Sequence, residues 1–166
     1  MEIAPPIEGR PSIVVDKEGN WFYNGQPIIN RKIILYFYQI LEHASGGGYQ
    51  LRTEREICPV AVQDAPFVVV ALWRSDQPRE EIVVKLNDDT SEPLDLKTLV
   101  IGADNVPYCS VKQRRFRARF LRAPYYCLAE SVRQEGETTF FLELNGERQY
   151  LYPPDPHRVQ DIREQE

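Results

Sequence analysis

The stretches APFVVVALWRSDQPREEIVVKLND (Ala65 to Asp88) and APYYCLAESVRQEGETTFFLELNG (Ala123 to Gly146) align without a gap, 58 residues apart from Ala65 to Ala123. Ala65/Ala123, Pro66/Pro124, Ala71/Ala129, Leu86/Leu144 and Asn87/Asn145 are identical, and Phe67/Tyr125, Val70/Leu128 and Val84/Leu142 keep their chemical type. Self-similarity at a fixed offset reads as one β-unit written twice. On this reading both segments are two-stranded units with the same turn placement. What both copies keep serves the fold, and what only one has is available for function.

Working outward, Ile13–Val15 and Trp21–Tyr23 read as strands around the turn residues Asp16 to Asn20, and Asn24-Gly25 is a hairpin signal returning through Gln26 to Ile28. Asn30 is placed to cap a helix over Arg31 to His43, which the Gly46-Gly47-Gly48 run would stop. Ile33, Ile34, Phe37 and Leu41 share one helical face; the β-branched and aromatic residues of the run make a strand the competing reading, and length and caps favour the helix. From Tyr49 on, the chain reads as β. Strands are predicted at 49–53, 66–74, 81–86, 92–96, 108–112, 115–121, 125–132, 138–144 and 148–152, punctuated by turns such as Asn87-Asp88 and Asn145-Gly146. The predicted class is α+β: two β-rich halves related by internal duplication, with one main helix in the first. The predicted organisation is a flexible N-terminus (1–12), a first α+β repeat (13–79), a second β-rich repeat (80–152) and a tail (153–166) whose short helix would be capped by Asp155 and opened by Pro156.

With 20 basic and 25 acidic residues and a net charge of −5, the chain has no global attraction for nucleic acid or an anionic membrane, so any polyanion site must be local. The N-terminus lacks a charged segment followed by an apolar run, and no run of about 18 apolar residues occurs. A soluble, unexported, cytoplasmic protein without membrane insertion is the expectation. Cys58, Cys109 and Cys127 lack CxxC spacing and read as reduced apolar residues; no disulfide framework, metal or other cofactor is expected.

The segments GNWFYNGQPI (Gly19 to Ile28), Ile33 to Leu41, Gly48-Tyr49-Gln50-Leu51 and VAVQDAPF (Val60 to Phe67) together resemble the bacterial family called domain of unknown function 1285. Arg119-Phe120, Pro124-Tyr125-Tyr126 and Asn145-Gly146 extend the resemblance from about Ile13 to Tyr152. It implies an α+β protein with a duplicated core and a second half superficially like pleckstrin-homology folds. It further implies a ligand surface between the halves and a suggested role in signal transduction, with no established activity and no catalytic residues to carry over.

The most unusual local feature is KQRRFRARFLR, Lys112 to Arg122, which holds six basic residues in an acidic protein. As a strand it would place Arg115, Arg117 and Arg119 on one face and Phe116, Ala118 and Phe120 on the other. At the same 58-residue offset, Ile57, Pro59 and Ala61 stand where the arginines are, so the fold tolerates a neutral face there. The strip fits either a solvated face or a site for an anionic partner. Arg122 continues it. Trp73, whose counterpart is Ser131, is not demanded by the repeat, unlike the aromatics expected in the core. Asp64 corresponds to Arg122; it suits a turn hydrogen bond before Pro66 or, alternatively, a pair with Arg122.

GxSxG, GxxxxGK[ST], HExxH and EF-hand patterns are all missing from the sequence. A dyad of His43 with Cys58 or Cys109 has no flanking signature, and His157 lies in the tail. A non-enzymatic regulatory or signalling adaptor for a protein or peptide ligand, bound between the halves, is the leading expectation. The alternatives are a module for nucleic acid or a phosphorylated ligand using the arginine strand, and third an enzyme of unidentified type.

Overall fold

The computed structural model describes residues 12–151. The N-terminus predicted to be flexible and the tail helix predicted at Asp155-Pro156 fall outside these residues. The chain divides into two units, Met1–Pro66 and Phe67–Glu166.

The first unit contains β1 (Ile13–Val15), β2 (Trp21–Tyr23), β3 (Gln26–Pro27), α1 (Arg31–Ile40), β4 (Leu41–His43), β5 (Tyr49–Arg52) and β6 (Ile57–Val62). Its six-stranded sheet has the order β3-β2-β1-β6-β5-β4, with β1 and β6 parallel at the centre. The chain starts at the centre, steps out through β2 and β3, and returns from the far edge through β4 and β5. A parallel central pair requires a crossover between the edges. Helix α1 makes it.

The second unit repeats that path with β7 (Phe67–Ser75), β8 (Glu81–Leu86), β9 (Ser91–Pro93), β10 (Val100–Ile101), β11 (Pro107–Val111) and β12 (Phe116–Phe120). The order is β10-β11-β12-β7-β8-β9, with β7 and β12 parallel at the centre. Here the crossover carries only a 3-10 turn at Leu96–Thr98. Helix α2 (Arg122–Ser131) follows, then an antiparallel three-stranded sheet of β13 (Val132–Glu135), β14 (Thr139–Leu144) and β15 (Glu147–Leu151). The fold is α+β, mostly β, and internally duplicated.

The duplication does not relate the two quoted segments as matching hairpins. Residues 65–88 carry β7 and β8, whereas 123–146 begin in helix α2. The central registers, Ile13 beside Val60 and Phe67 beside Ala118, pair β1 with β7 and β6 with β12 as counterparts. Strands β6 and β12 do lie 58 residues apart, so Val60 and Ala118 are equivalent. Each Ala-Pro marks the exit from a repeat's last central strand, and beyond it the copies part. Ala65-Pro66 leads into a valine-rich strand buried between β8 and β12. Pro124 instead sits in the first turn of α2, where its missing N–H costs nothing, and it is buried with Leu128 at helical spacing. The units accordingly divide at Pro66/Phe67 and not at 79/80, because β7 pairs with β8 and β12.

Asn30 caps α1 as expected, its Oδ1 accepting from the Lys32 amide at 3.0 Å. The helix ends at Ile40, three residues early, because Leu41, Glu42 and His43 pair with Leu51, Gln50 and Tyr49 as an edge strand. Tyr38 is its buried residue, with Phe37 half-buried and Ile33 41% exposed. Tyr38 and Phe37 pack on buried Trp21 at ring separations of 5.2 and 5.4 Å, and the Tyr38 hydroxyl donates to the Pro66 carbonyl at 3.0 Å. Both Asn-Gly pairs form two-residue hairpin loops with positive φ at each position: 48° and 79° at Asn24-Gly25, 52° and 77° at Asn145-Gly146.

Candidate functional site

Alternation along β12 buries Phe116, Ala118 and Phe120 beside Phe67 and Val69 and turns half-buried Arg117 and Arg119 to the opposite face. On that face the Arg117 guanidinium stacks over the Tyr108 ring at 3.9 Å, and Val68 lies beside Arg119. Arg115 precedes the strand, exposed, with its guanidinium 5.4 Å from the Phe116 ring. Lys85 and Trp73 lie on the same outer face, since Trp73 pairs with Val83 and the alternate residues Ile82, Val84 and Leu86 are buried. Trp73 is 43% exposed.

Two other basic residues of the segment are spent on the turn. Lys112, Gln113 and Arg114 are all left-handed, at φ 55°, 60° and 64°, a conformation costly for non-glycine residues. Lys112 Nζ donates to Asp88 Oδ2 at 2.6 Å and to Thr90 Oγ1 at 2.7 Å, and its amide donates to the Glu92 carboxylate at 3.0 Å. Arg114 Nε donates to Asp95 Oδ2 at 2.8 Å. These carboxylates hold the turn. Arg122 is exposed at the start of α2, and Asp64 is half-buried in the connection between β6 and β7.

A separate feature lies inside the second unit: a groove of about 530 Å³ with an apolar floor of Ile101, Pro107, Tyr125, Leu128, Phe140 and Leu151. A helix and strands of both sheets of the unit build it. Tyr125 and Leu128 sit on one face of α2, Ile101 and Pro107 are cross-strand partners of β10 and β11, and Phe140 and Leu151 are partners across β14 and β15. Asn105, Arg133, Gln134 and Thr138 supply polar groups around it. Phe140 is 40% exposed. None of Arg115, Arg117, Arg119, Arg122, Trp73 and Asp64 lines this groove. The sequence reading misses it because it takes 125–132 for a strand. The spacing of Pro124, Leu128 and Val132 was the available signal for a helix.

Burial pushes the Cys109 thiol far above its usual range, with Glu92 and Asp95 adding to the shift. Cys58 is raised as well, by burial first and then by Glu56. Both shifts favour the neutral thiol over the thiolate that a nucleophilic dyad uses. Among the described residues, no group of three or more His, Cys, Asp or Glu side chains is arranged to hold a metal ion.

The architecture is thus a duplicated pair of six-stranded sheets, the second extended by a helix, a small sheet and a ligand-sized groove. Residues 2–65 match the family model described as "Domain of unknown function (DUF1285), N-terminal domain". A DUF1285 family protein from Silicibacter pomeroyi DSS-3 has a similar structure, with a TM-score of 0.71 and 22% identity, covering 94% of this chain and 86% of that one. A DUF1285 family protein from Shewanella baltica OS155 is similar at a TM-score of 0.60 and 27% identity, covering 72% of this chain and 91% of that one. The resemblance seen in the sequence is borne out: the N-terminal domain of the family is matched over residues 2–65, and both of these similar structures are of DUF1285 family proteins. No curated protein matches it.

Proposed function

We propose that the protein is a non-catalytic binding module, a regulatory or signalling adaptor that takes a protein or peptide ligand. The observation that supports this reading is the groove of about 530 Å³, lined mainly by apolar side chains with the amide residues Asn105 and Gln134 among them. Ligand sites combine such an apolar cavity with a few polar groups that fix orientation. The groove belongs to the second unit alone, so the proposed site moves there from the seam between the halves. No helix among the described residues is long and apolar enough to cross a membrane, and we place the protein in the cytoplasm as part of the same reading. The test is Phe140→Asp, a change at a part-exposed floor residue. A native partner held by the wild type and released by the variant, at an unchanged melting temperature, supports the reading; equal retention by both overturns it.

The second reading is a polyanion-binding face, for nucleic acid or a phosphorylated ligand. It is favoured by the placement of Arg117, Arg119 and Lys85 together with exposed Trp73 on one face of the second sheet, with exposed Arg115 just before its central strand. Guanidinium groups beside an aromatic ring suit phosphates and stacked bases. Changing the three arginines to Gln should then weaken oligonucleotide binding and flatten its dependence on salt. Equal binding by both proteins at two salt concentrations returns the strip to a solvated face.

A further inference from the structure

Among the described residues, β13 is an edge strand that pairs with β14 alone. In an antiparallel pair every second residue turns its N–H and C=O away from the partner, so an edge presents an unused set of donors and acceptors. Other edges of this protein are blunted. Strands β3 and β9 contain Pro27 and Pro93, which lack a donor, while β4 and β10 are three and two residues long. Strands β13 and β15, of four and five residues, have no proline.

Of these two, β13 runs along the groove. Val132, Arg133 and Gln134 all line it. Consecutive side chains of a strand point to opposite faces, so three in a row meet one cavity only along the strand's edge. Val132 and Gln134 share a face with their partners Leu142 and Phe140, and Phe140 in turn faces Leu151, so this side of the small sheet is the groove wall. Arg133 and Glu135 lie on the other side. Their ion pairs are long and exposed, at 3.9 Å from Arg133 to Glu143 and 3.4 Å from Arg148 to Glu135.

Resting on the groove reading above, we propose that β13 is a strand-addition site: an extended peptide segment of a partner protein pairs with its edge and lays alternate side chains into the groove. The edge itself identifies the occupant. Only another extended backbone satisfies a row of strand donors and acceptors, whereas a helix satisfies its own. The side chains of the added strand are set by what they face: apolar beside Val132 and Gln134, a carboxylate beside Arg133 and a cation beside Glu135. The ligand is therefore an extended segment in which apolar residues alternate with charged ones.

The full chain is titrated, by fluorescence anisotropy, against an array of octapeptides that alternate apolar and charged residues. Binders are resynthesised with backbone N-methyl groups on either the odd or the even residues. Strand addition expects one frame to lose affinity by about tenfold or more while the other stays within about twofold, because only one frame hydrogen-bonds β13. Phe140→Ala should weaken binding, and Arg133→Glu should reverse the preference at the facing charged position. If Phe140→Ala weakens binding but both N-methyl frames behave alike, the groove reading stands and strand addition fails. If no peptide binds, or both variants bind as the wild type does, both fail. An unliganded protein that is dimeric through β13 overturns the proposal in favour of a second copy of the chain.

Discussion

Gly102 follows β10, and a Cβ built there would stand 2.8 Å from a ring carbon of Tyr108, the same ring that carries the Arg117 guanidinium at 3.9 Å. An aromatic ring that is 8% exposed has little room to withdraw. Gly102→Ala should therefore destabilise the protein by about 1–3 kcal/mol through overpacking, read as a lower urea midpoint. An unchanged midpoint would mean that the ring moves freely and that Arg117 has no fixed platform. The arginines themselves divide by environment. Arg117→Gln should cost about 0.5–1 kcal/mol through its lost ring contact, and exposed Arg115→Gln should stay within about 0.5 kcal/mol. Equal effects would leave the stacking without energetic weight. The alternation of this strand was legible because a period of two has one structural meaning. The turn before it was not, since three long polar residues at positive φ carry no compositional sign; carboxylates distant in sequence hold them there.

At the scale of elements, the caps and the Asn-Gly loops were legible because each is satisfied by residues a few positions away. The ends of α1 and the nature of α2 depend on what lies across the sheet. Leu41 looks like a helix residue by spacing, yet it pairs with Leu51 and is buried at 4% exposure. Leu41→Ala should cost about 2–5 kcal/mol, and half-buried Phe37→Ala less; a ranking reversed in thermal unfolding would place the core on the other face of α1. Tyr38→Phe removes the bond to the Pro66 carbonyl and should cost about 0.5–1.5 kcal/mol. For Tyr125 to Val132, β-forming side chains misled the reading, and burial against β7 favoured a helix. The candidate groove was illegible for the same reason, since its floor needs α2. Asn87 shows how the quoted repeat misleads. Its identity with Asn145 suggests a shared hairpin, but the bonds it makes are like those of Asn24. Asn24 exchanges amide and Oδ1 bonds with Ser12 at 2.8 Å, and Asn87 does so with Val68 at 3.2 and 3.1 Å.

Across the whole chain, duplication was visible in the sequence while its boundaries were not, because the residues that recur most clearly mark where the copies end. The shared plan is a path from the centre of a sheet to one edge, across to the other, and back to the centre. This plan fixes where backbone protection concentrates. Central strands β1, β6, β7 and β12 are paired on both sides, and Val15, Val60, Phe67, Val69, Ala118 and Phe120 are buried. Strand β13 is paired on one side, and Arg133, Gln134 and Glu135 are exposed. Local opening is cheapest where few apolar contacts hold a strand, and amides that face away from the only partner are open to solvent without it. Native-state hydrogen exchange should therefore be slowest in 13–15, 57–62, 67–75 and 116–120, and fast at alternate residues of 132–135. Adding a peptide that binds should slow those fast amides selectively, leaving the central strands unchanged. Uniform protection of 132–135 without any ligand would mean that its edge is already occupied in solution, which removes the strand-addition site while leaving the duplicated architecture intact.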